Sequence, residues 1–158
     1  MHLPEGFDAT SDSDNVVSQF TLGRLAQTMD RHNYEYSYNS EEGWIRAAWG
    51  EARITFSLSD DGFWWRSVSH WRCPDWLQDS SADTQWALLK QAANEWNRNY
   101  LEPPAYPVQT GAEWTLELYQ SVFIGAGLSD QQASLQLRRT IANQVQAHKT
   151  VPSLLPPA

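Results

Sequence analysis

His70 and Cys73 come nearest to the spacing of a metal site. They stand three residues apart, a separation found between zinc ligands. A structural zinc ion takes four ligands, and a chain with 1 Cys offers no second pair to complete such a site. A solvent-facing imidazole on a strand is the other explanation for His70. We therefore expect no metal and no other cofactor.

Arrangements for nucleophilic or acid–base catalysis are also missing from the sequence. There is no Gly-x-Ser-x-Gly elbow, and Cys73 precedes a proline with no evident base beside it. The segment Gly125–Gly127 lacks the lysine and the spacing of a phosphate loop. Carboxylate pairs at 41–42, 60–61 and 113/117 lie in or beside turns or on a strand's polar face, which is typical of solvated surface. The sequence predicts a non-enzymatic protein.

Asn97 is a polar residue in an unexpected place. It lies inside the apolar stripe of a predicted helix, four residues after Ala93 and three before Tyr100. Asparagine is a poor helix former, and a buried amide must find hydrogen-bond partners. It could contact a ligand or clamp the backbone of an adjoining strand. We favour the clamp because buried amides usually satisfy backbone groups, and we expect Asn94 to serve alongside it.

The strand predicted over residues 63–71 carries tryptophan on both faces. One face holds Trp64, Arg66, Val68 and His70, and the other holds Phe63, Trp65, Ser67, Ser69 and Trp71. A half-exposed strand would be polar on one side. Either helices cover both faces, or one aromatic surface is left to bind something. The candidate partner-binding residues are Trp64, Arg66, His70 and Trp71, for a protein segment or for a sugar that stacks on the rings.

Composition narrows the class of partner. The 158 residues suffice for one domain with a sizeable core, to which 9 Trp, 6 Tyr and 5 Phe contribute large buried areas. A formal charge of -8 repels phosphate backbones and anionic lipid, so we expect no nucleic-acid and no membrane partner. No apolar run approaches membrane-spanning length, and the N-terminus lacks the features of a signal peptide. These features predict a cytoplasmic protein.

The patterns along the chain predict an α+β fold, an antiparallel sheet with helices packed on it, in the order α-β-β-β-α-β-β-α. Thr21 is a good N-cap for the first helix, and Asn33 can end it in the left-handed conformation. Residues 44–58 read either as one strand interrupted at Gly50 or as two short strands. We expect a single domain over 16–150, with flexible tails over 1–15 and 151–158 because both are rich in turn-forming or proline residues.

The middle and last helices have clear sequence signals. Residues Trp86, Leu89, Ala93, Trp96 and Tyr100 recur at spacings of three and four, which places them on one face. Ser129 and Gln132 form a capping-box pair at the start of the last helix, where each side chain bonds a backbone amide of the other residue. Both signals are structural rather than functional.

These landmarks resemble the YbjN family, whose members are described as bacterial sensory transduction regulators. In that family a meander ending in tryptophan precedes a helix with Asn-x-Trp-Asn and a strand entry like Pro-Lys-Ala-Tyr. The corresponding residues here are Trp71, then Asn94, Trp96 and Asn97, then Pro104, Ala105 and Tyr106. The last helix of the family opens with Gly-aliphatic-Ser/Thr-Asp-x-Gln, which appears here as Gly127 to Gln132. The resemblance runs from about Thr21 to Ala147. This chain departs from the pattern at two points: Pro103 stands beside Pro104, and the basic residue that follows the proline in the family is missing.

The resemblance implies a type III secretion chaperone-like fold. Chaperones of that shape are small, acidic and often dimeric, hold extended segments of partner proteins, and often use the middle helix at the subunit interface. In this chain that helix carries Trp86 and Trp96, so a homodimer is one possible assembly. Our leading hypothesis is a non-enzymatic regulatory or chaperone-like protein that binds another protein. The alternatives are a carbohydrate-binding module that uses exposed tryptophans and, last, a small hydrolase built on His70.

Overall fold

The computed structural model describes residues 15–157, which form one six-stranded sheet with helices packed on it. The elements are α1 (Leu22–Arg31), β1 (Ser37–Asn39), β2 (Trp44–Trp49), β3 (Ala52–Leu58), β4 (Trp64–Arg72), α2 (Asp75–Gln78), α3 (Ala82–Asn99), β5 (Ala105–Thr110), β6 (Glu113–Phe123), α4 (Asp130–Thr150) and a C-terminal 3₁₀ helix (Val151–Leu154). The strand order is β1-β2-β3-β4-β6-β5, and every pair is antiparallel. The predicted N-terminal tail lies outside the described residues except for Asn15.

The predicted α+β class is confirmed, with one strand more than the predicted order. Residues 44–58 form two strands, because the chain reverses at Gly50 and pairs Trp49 with Ala52. Gly50 has a φ of 60°, a left-handed conformation that glycine adopts without steric cost. The meander before the middle helix therefore has four strands, and the short helix α2 follows it.

The sheet has one covered and one open face. In β4 the side chains of Trp65, Ser67 and Ser69 are buried, while Trp64, Arg66 and His70 are exposed. This alternation follows from the two-residue repeat of a strand. The buried side chains meet apolar residues of α1, α3 and α4, so these helices all lie on the same face. Within residues 15–157 no helix covers the other face.

The covered face holds two apolar clusters. The first surrounds Trp65, whose ring stacks on Phe20 with centroids 5.0 Å apart, and it includes residues of α1, β2, β3 and the first half of α4. The second surrounds Trp96, which stacks on Tyr100 at 4.0 Å, and it includes residues of α3, β5, β6 and the end of α4. Burial of such large rings supplies much of the hydrophobic driving force for folding.

A buried polar contact between α4 and the sheet lies where the two clusters meet. The amide of Gln144 donates to the backbone carbonyl of Leu118 at 3.2 Å, and the hydroxyl of Ser69 donates to the Gln144 side-chain oxygen. The Ser69 hydroxyl also lies 2.8 Å from Nε2 of His148. These partners satisfy polar groups that would otherwise be costly to bury.

The C-terminal segment differs from the flexible tail predicted over residues 151–158. It begins with a 3₁₀ helix, and the side chains of Val151 and Leu155 are buried against the second cluster. Pro152 stands in the first turn, where the absent proline N–H would have no helical partner. The prediction of a flexible tail relied on the prolines and took no account of the apolar residues Val151 and Leu155. Ala158 lies outside the described residues.

Candidate functional site

The open face is the outward surface of strands β2, β3, β4 and β6. Strand pairing aligns its side chains in rows, because residues directly opposite each other in antiparallel strands point to the same side. One row contains Trp44, Ser57, Arg66 and Ser121, and the next contains Arg46, Thr55, Val68 and Tyr119. Arg53 and His70 extend the surface beyond these rows, and Trp64 opposite Phe123 closes its other end.

Arginine dominates the charge of the open face. Four of the 11 basic side chains in the chain lie there: Arg46, Arg53, Arg66 and Arg72. Arg72 pairs with Glu113 at 3.4 Å, whereas the other three form no ion pair within residues 15–157. The guanidinium of Arg46 lies 4.0 Å from the centre of the Trp44 ring, a cation–π contact that covers this ring. The face therefore has unpaired positive charge.

His70 belongs to a hydrogen-bonded chain across three strands. Its Nε2 lies 2.9 Å from a carboxylate oxygen of Glu117, and the hydroxyl of Tyr106 donates to the other oxygen at 2.6 Å. Burial, and then the hydrogen bond to Glu117, raise the pKa of Tyr106 well above its usual range. The phenol remains a donor at neutral pH. The Glu117 carboxylate is thus hydrogen-bonded to His70 and Tyr106 and forms no ion pair with the arginines of the open face.

Three aromatic side chains form an exposed cluster at one end of the open face, which we call the aromatic corner: Phe63, Trp64 and Phe123. Their exposed fractions are 51%, 42% and 56%, so each ring leaves much of its surface to solvent. The Trp64 and Phe123 centroids lie 5.5 Å apart, and those of Phe63 and Phe123 lie 6.3 Å apart. Contiguous exposed apolar surface of this kind marks interaction sites.

The structure divides the four predicted partner-binding residues. Trp64, Arg66 and His70 lie on the open face, whereas Trp71 lies on the covered face and packs against the second apolar cluster. Trp71 lines a separate depression of about 360 Å³ together with Trp76 and prolines of the C-terminal segment. Trp71 is therefore no part of the surface that carries the other three.

Four residues of the open face were missed by the sequence analysis: Trp44, Arg46, Arg53 and Phe123. They lie on three strands other than β4, so no local pattern joins them to Arg66. The turns carried the missing signal. Gly50 and Gly62 both have positive φ, and a tight hairpin at each turn fixes the register that aligns these residues.

Asn97 acts on the backbone, as the clamp hypothesis expects. Its amide donates to the carbonyl of Ala105 at 2.7 Å and accepts from the Ala105 N–H at 2.8 Å. Both bonds occupy the outer edge of β5, and Pro107, two residues on, has no N–H to offer. This edge is therefore closed to the addition of another strand. Asn94 does not join the clamp, because it faces solvent on a neighbouring side of α3.

The remaining sequence motifs are structural. The indole of Trp96 donates to the carbonyl of Pro103 at 2.6 Å, inside the second cluster. Ser129 and Gln132 make both bonds of the predicted capping box, at 3.1 and 2.8 Å. Next to them Asp130 accepts from Arg24 and Arg31, and these hydrogen bonds lower the pKa of its carboxyl. Together they fix α1 to the start of α4.

Trp86 differs from its predicted place on the buried stripe of α3. Its ring is 42% exposed, and the ammonium of Lys90 lies 4.7 Å from the ring centre. The buried stripe runs instead through Leu89, Ala92 and Trp96. Trp86 lies in the second turn of α3, at the flank of this stripe.

His70 and Cys73 do not converge on a metal site. His70 is exposed, whereas Cys73 is buried and its thiol contacts the carbonyl of Trp114 at 3.2 Å. Burial raises the pKa of this thiol. Across residues 15–157 no three His, Cys, Asp or Glu side chains are grouped as metal ligands. In the same range, no helix is both long and apolar enough to cross a membrane.

The chain is similar to known proteins in sequence and in fold. The sequence model of the YbjN family, described as "Putative bacterial sensory transduction regulator", matches residues 21–147. A crystal structure of YbjN from E. coli, described as "a putative transcription regulator", superposes with a TM-score of 0.67 at 12% identity, covering 89% of this chain and 98% of that one.

A second solved structure, the HopA1–SchA chaperone–effector complex, contains a chain that superposes with a TM-score of 0.55 at 14% identity, covering 84% of this chain and 92% of that one. A comparison with curated proteins finds no match. At such low identity the two superpositions establish a shared fold, and this fold is type III secretion chaperone-like. The family match spans most of the sequence. The chain belongs to the YbjN family.

Proposed function

We propose that this protein is a non-enzymatic, cytoplasmic regulatory or chaperone-like protein that acts by binding another protein through the open face. One observation carries the proposal: the aromatic corner lies beside unpaired arginines on a sheet surface left uncovered within residues 15–157. Tryptophan and arginine are enriched among the residues that dominate binding energy at protein interfaces. The open face presents both types within one continuous surface.

The size of the open face fits a protein partner. The four strands of the open face, spaced about 4.8 Å apart and about 20 to 37 Å long, give a surface of roughly 500 Å² before side-chain relief is added. A typical interface covers about 800 Å² on each partner. The open face, which includes the aromatic corner, supplies most of that area.

The structural neighbours support the same conclusion by analogy of fold. The HopA1–SchA structure is a complex between a chaperone and an effector, so a chain of this fold holds a protein partner there. A fold hosts many functions, and this analogy adds only a general expectation. The surface chemistry of the present chain supplies the specific support.

The burial of Ser69 and His148 supports the non-enzymatic part of the proposal. These two side chains are in hydrogen-bond contact, as a nucleophile and its base would be. They are only 1% and 7% exposed, Ser69 on β4 and His148 on the side of α4 that packs on the sheet. A substrate would have to displace this helix from the sheet to reach them, so we assign the pair a structural role.

A carbohydrate-binding module is the second candidate, and exposed Trp64 is the observation that favours it. The Trp64 ring stands at 70° to Phe123, and the Arg46 guanidinium covers the Trp44 ring. Neither arrangement presents the flat, free pair of rings that a sugar would stack on. Titration of intrinsic tryptophan fluorescence with oligosaccharides tests this candidate, and a saturable shift at millimolar sugar would support it over protein binding.

Self-association through α3 is a separate part of the proposal. Exposed Trp86 lies at the flank of the buried stripe of α3, where a second copy could cover it. Sedimentation equilibrium of the wild type and of Trp86→Ala tests this contact. A dimer that weakens in the variant is the expected result, and a monomer at all concentrations would remove the homodimer from the proposal.

The partner interaction is tested by removing the aromatic corner. Tagged wild-type protein and the double variant Trp64→Ala/Phe123→Ala are incubated with extract of the source organism, and bound proteins are identified by mass spectrometry. The control is Leu135→Ala, which removes a 58% exposed apolar side chain from α4 on the helical side. We expect one partner to be retained by the wild type and the control and lost from the double variant. Equal retention by all three folded proteins would contradict the proposal.

A further inference from the structure

We infer that the segment bound by the open face is acidic: a stretch of protein with several carboxylates and at least one large apolar side chain. The inference deepens the proposed function and rests on it. Charge complementarity between the open face and the bound segment supports it. The apolar side chain would pack on the aromatic corner, and the carboxylates would meet the arginines.

The distribution of charge is the first argument. The chain has a formal charge of -8, yet four arginines are concentrated on one face of one sheet. The nearby carboxylates of Glu113 and Glu117 already contact Arg72 and His70. Arg46, Arg53 and Arg66 form no ion pair within residues 15–157, although Asp61 is close enough to Arg66 for the guanidinium to help lower the pKa of its carboxyl. Complementary potentials across an interface steer association and set specificity.

The spacing of these arginines is the second argument. Arg46, Arg53 and Arg66 lie on neighbouring strands and on three different rows. With strands about 4.8 Å apart and rows about 6.8 Å apart, their Cα atoms are separated by about 8 to 14 Å. Carboxylates two to four residues apart along an extended segment span about 7 to 14 Å. One segment can therefore reach all three arginines.

A depression beside two of the arginines offers room for such a segment. It has a volume of about 500 Å³ and is lined by residues that include Arg46, Ala48 and Arg53. Ala48, which has a small side chain, lies directly opposite Arg53 on the neighbouring strand. Glu35 also lines this depression and would repel an incoming carboxylate, so the carboxylates of the bound segment would have to lie next to Arg46 and Arg53.

The same observations favour an acidic protein over a nucleic acid. A nucleic acid would bring many phosphates near a chain whose remaining surface is strongly negative, and that repulsion acts along its whole length. A short acidic segment meets only the arginine-rich region. The aromatic corner also suits an apolar side chain, which a phosphate backbone does not provide.

The test uses probes of defined composition and the full-length protein. The probes are a fluorescein-labelled random copolymer of glutamate and tyrosine, the matching lysine–tyrosine copolymer, and a single-stranded oligothymidylate, with binding followed by fluorescence anisotropy. The variants are Arg46→Glu/Arg53→Glu on the open face and Arg138→Glu/Lys149→Glu on the helical side as the control. Both doubles change the net charge equally, and all four positions are exposed.

We expect the glutamate–tyrosine copolymer to bind the wild type and the control alike, and the open-face double variant about tenfold more weakly or worse. Binding should also weaken as salt rises. The milder Arg46→Gln/Arg53→Gln serves if charge reversal disturbs folding. Equal affinity across all variants, or preference for the lysine copolymer, would overturn the inference. Preference for oligothymidylate, lost in the open-face variant, would replace the acidic protein with a nucleic acid.

The anisotropy result for the arginine variants is independent of whether the aromatic-corner variant retains a partner from the extract. If the partner is lost with the aromatic corner but the arginine variants bind every probe equally, protein binding stands and the acidic character of the partner fails. If the partner is retained by the aromatic variants, the proposed function itself fails.

Discussion

Trp64 and Trp65 are neighbours in sequence that lie on opposite faces of the sheet. Trp65 is 1% exposed and packs between Phe20 and Phe56, whereas Trp64 is 42% exposed and contacts Phe123. The helices cover one face with apolar side chains, and the other face keeps aromatic rings and arginine in contact with solvent. Tryptophan thus belongs to the buried core on one side of β4 and stays exposed to solvent on the other.

The largest effect expected from this comparison is on stability. Trp65→Ala removes a large side chain from the first cluster and should lower the free energy of unfolding by about 3–5 kcal/mol. Trp64→Ala should lower it by less than about 1 kcal/mol, because its ring is already half solvated. Urea denaturation followed by circular dichroism measures both. Similar losses for the two variants would show that the faces do not differ as described.

The clamp at β5 should give the next largest effect. Asn97→Ala leaves the N–H and the carbonyl of buried Ala105 without partners, which should cost about 1–3 kcal/mol. Asn94→Ala is the matched control, since Asn94 lies on the same helix and is likewise exposed but is not part of the clamp. Urea midpoints of the two variants decide the matter. A clamp variant as stable as its control would mean that water replaces the amide at no cost.

His148 makes the stability of the covered face depend on pH. Desolvation beneath α4 lowers the pKa of this imidazole from 6.5, and nearby His70 acts in the same direction while Glu51 opposes it. The unfolded chain therefore binds a proton more readily than the folded chain. The contribution of His148 is complete above the unfolded pKa, near 6.5, and is lost as pH falls toward the lower folded pKa.

The expected result is a free energy of unfolding that falls between pH 7 and pH 5. His148→Gln can keep a hydrogen bond to Ser69 but cannot titrate, so it should show a flatter dependence over that range. Urea denaturation at several pH values provides the data. Identical slopes for wild type and variant would remove His148 as the cause.

The helix cap should give the smallest effect on the covered side. Ser129→Ala removes the side-chain oxygen that accepts from the N–H of Gln132 and should cost about 1 kcal/mol. Ser129→Asp keeps an acceptor at the N-terminus of α4 and should restore most of the loss. Thermal unfolding compares the two variants. Equal destabilisation by alanine and aspartate would show that packing, not capping, is the role of this serine.

Local signals allowed correct predictions wherever a short segment determines the structure. The caps at Thr21 and Ser129 act within four residues of the chain, and Asn33 ends α1 with a φ of 55°. The sequence also predicted the Asn97 clamp, from an amide expected to be buried on an apolar stripe. The structure has both bonds to the backbone of Ala105, but Asn97 itself is exposed and lies outside the buried stripe of α3. Each of these features depends on chemistry that is visible in adjacent residues.

The composition of the open face could not be predicted in the same way. Its arginines lie on three strands, and their common surface depends on register across Gly50 and Gly62. For Trp71 the limit is different. The alternation of β4 correctly put Trp71 and Trp64 on different faces of the sheet, but it could not show which face the helices cover. Leu155 shows a third limit, because a short apolar anchor among prolines has no periodicity to reveal it. All three depend on tertiary packing.

Site-specific photo-crosslinking tests most directly whether the open face binds a protein. A benzoylphenylalanine replaces Ser121, which lies exposed on the open face opposite Arg66, or Leu135 on the helical side as the control. Both proteins are irradiated in cells of the source organism and analysed by mass spectrometry. We predict that one protein is crosslinked from Ser121, is absent from Leu135, and disappears from Ser121 when Trp64→Ala is added. Crosslinks that are the same from both positions, or that persist without Trp64, would contradict the account.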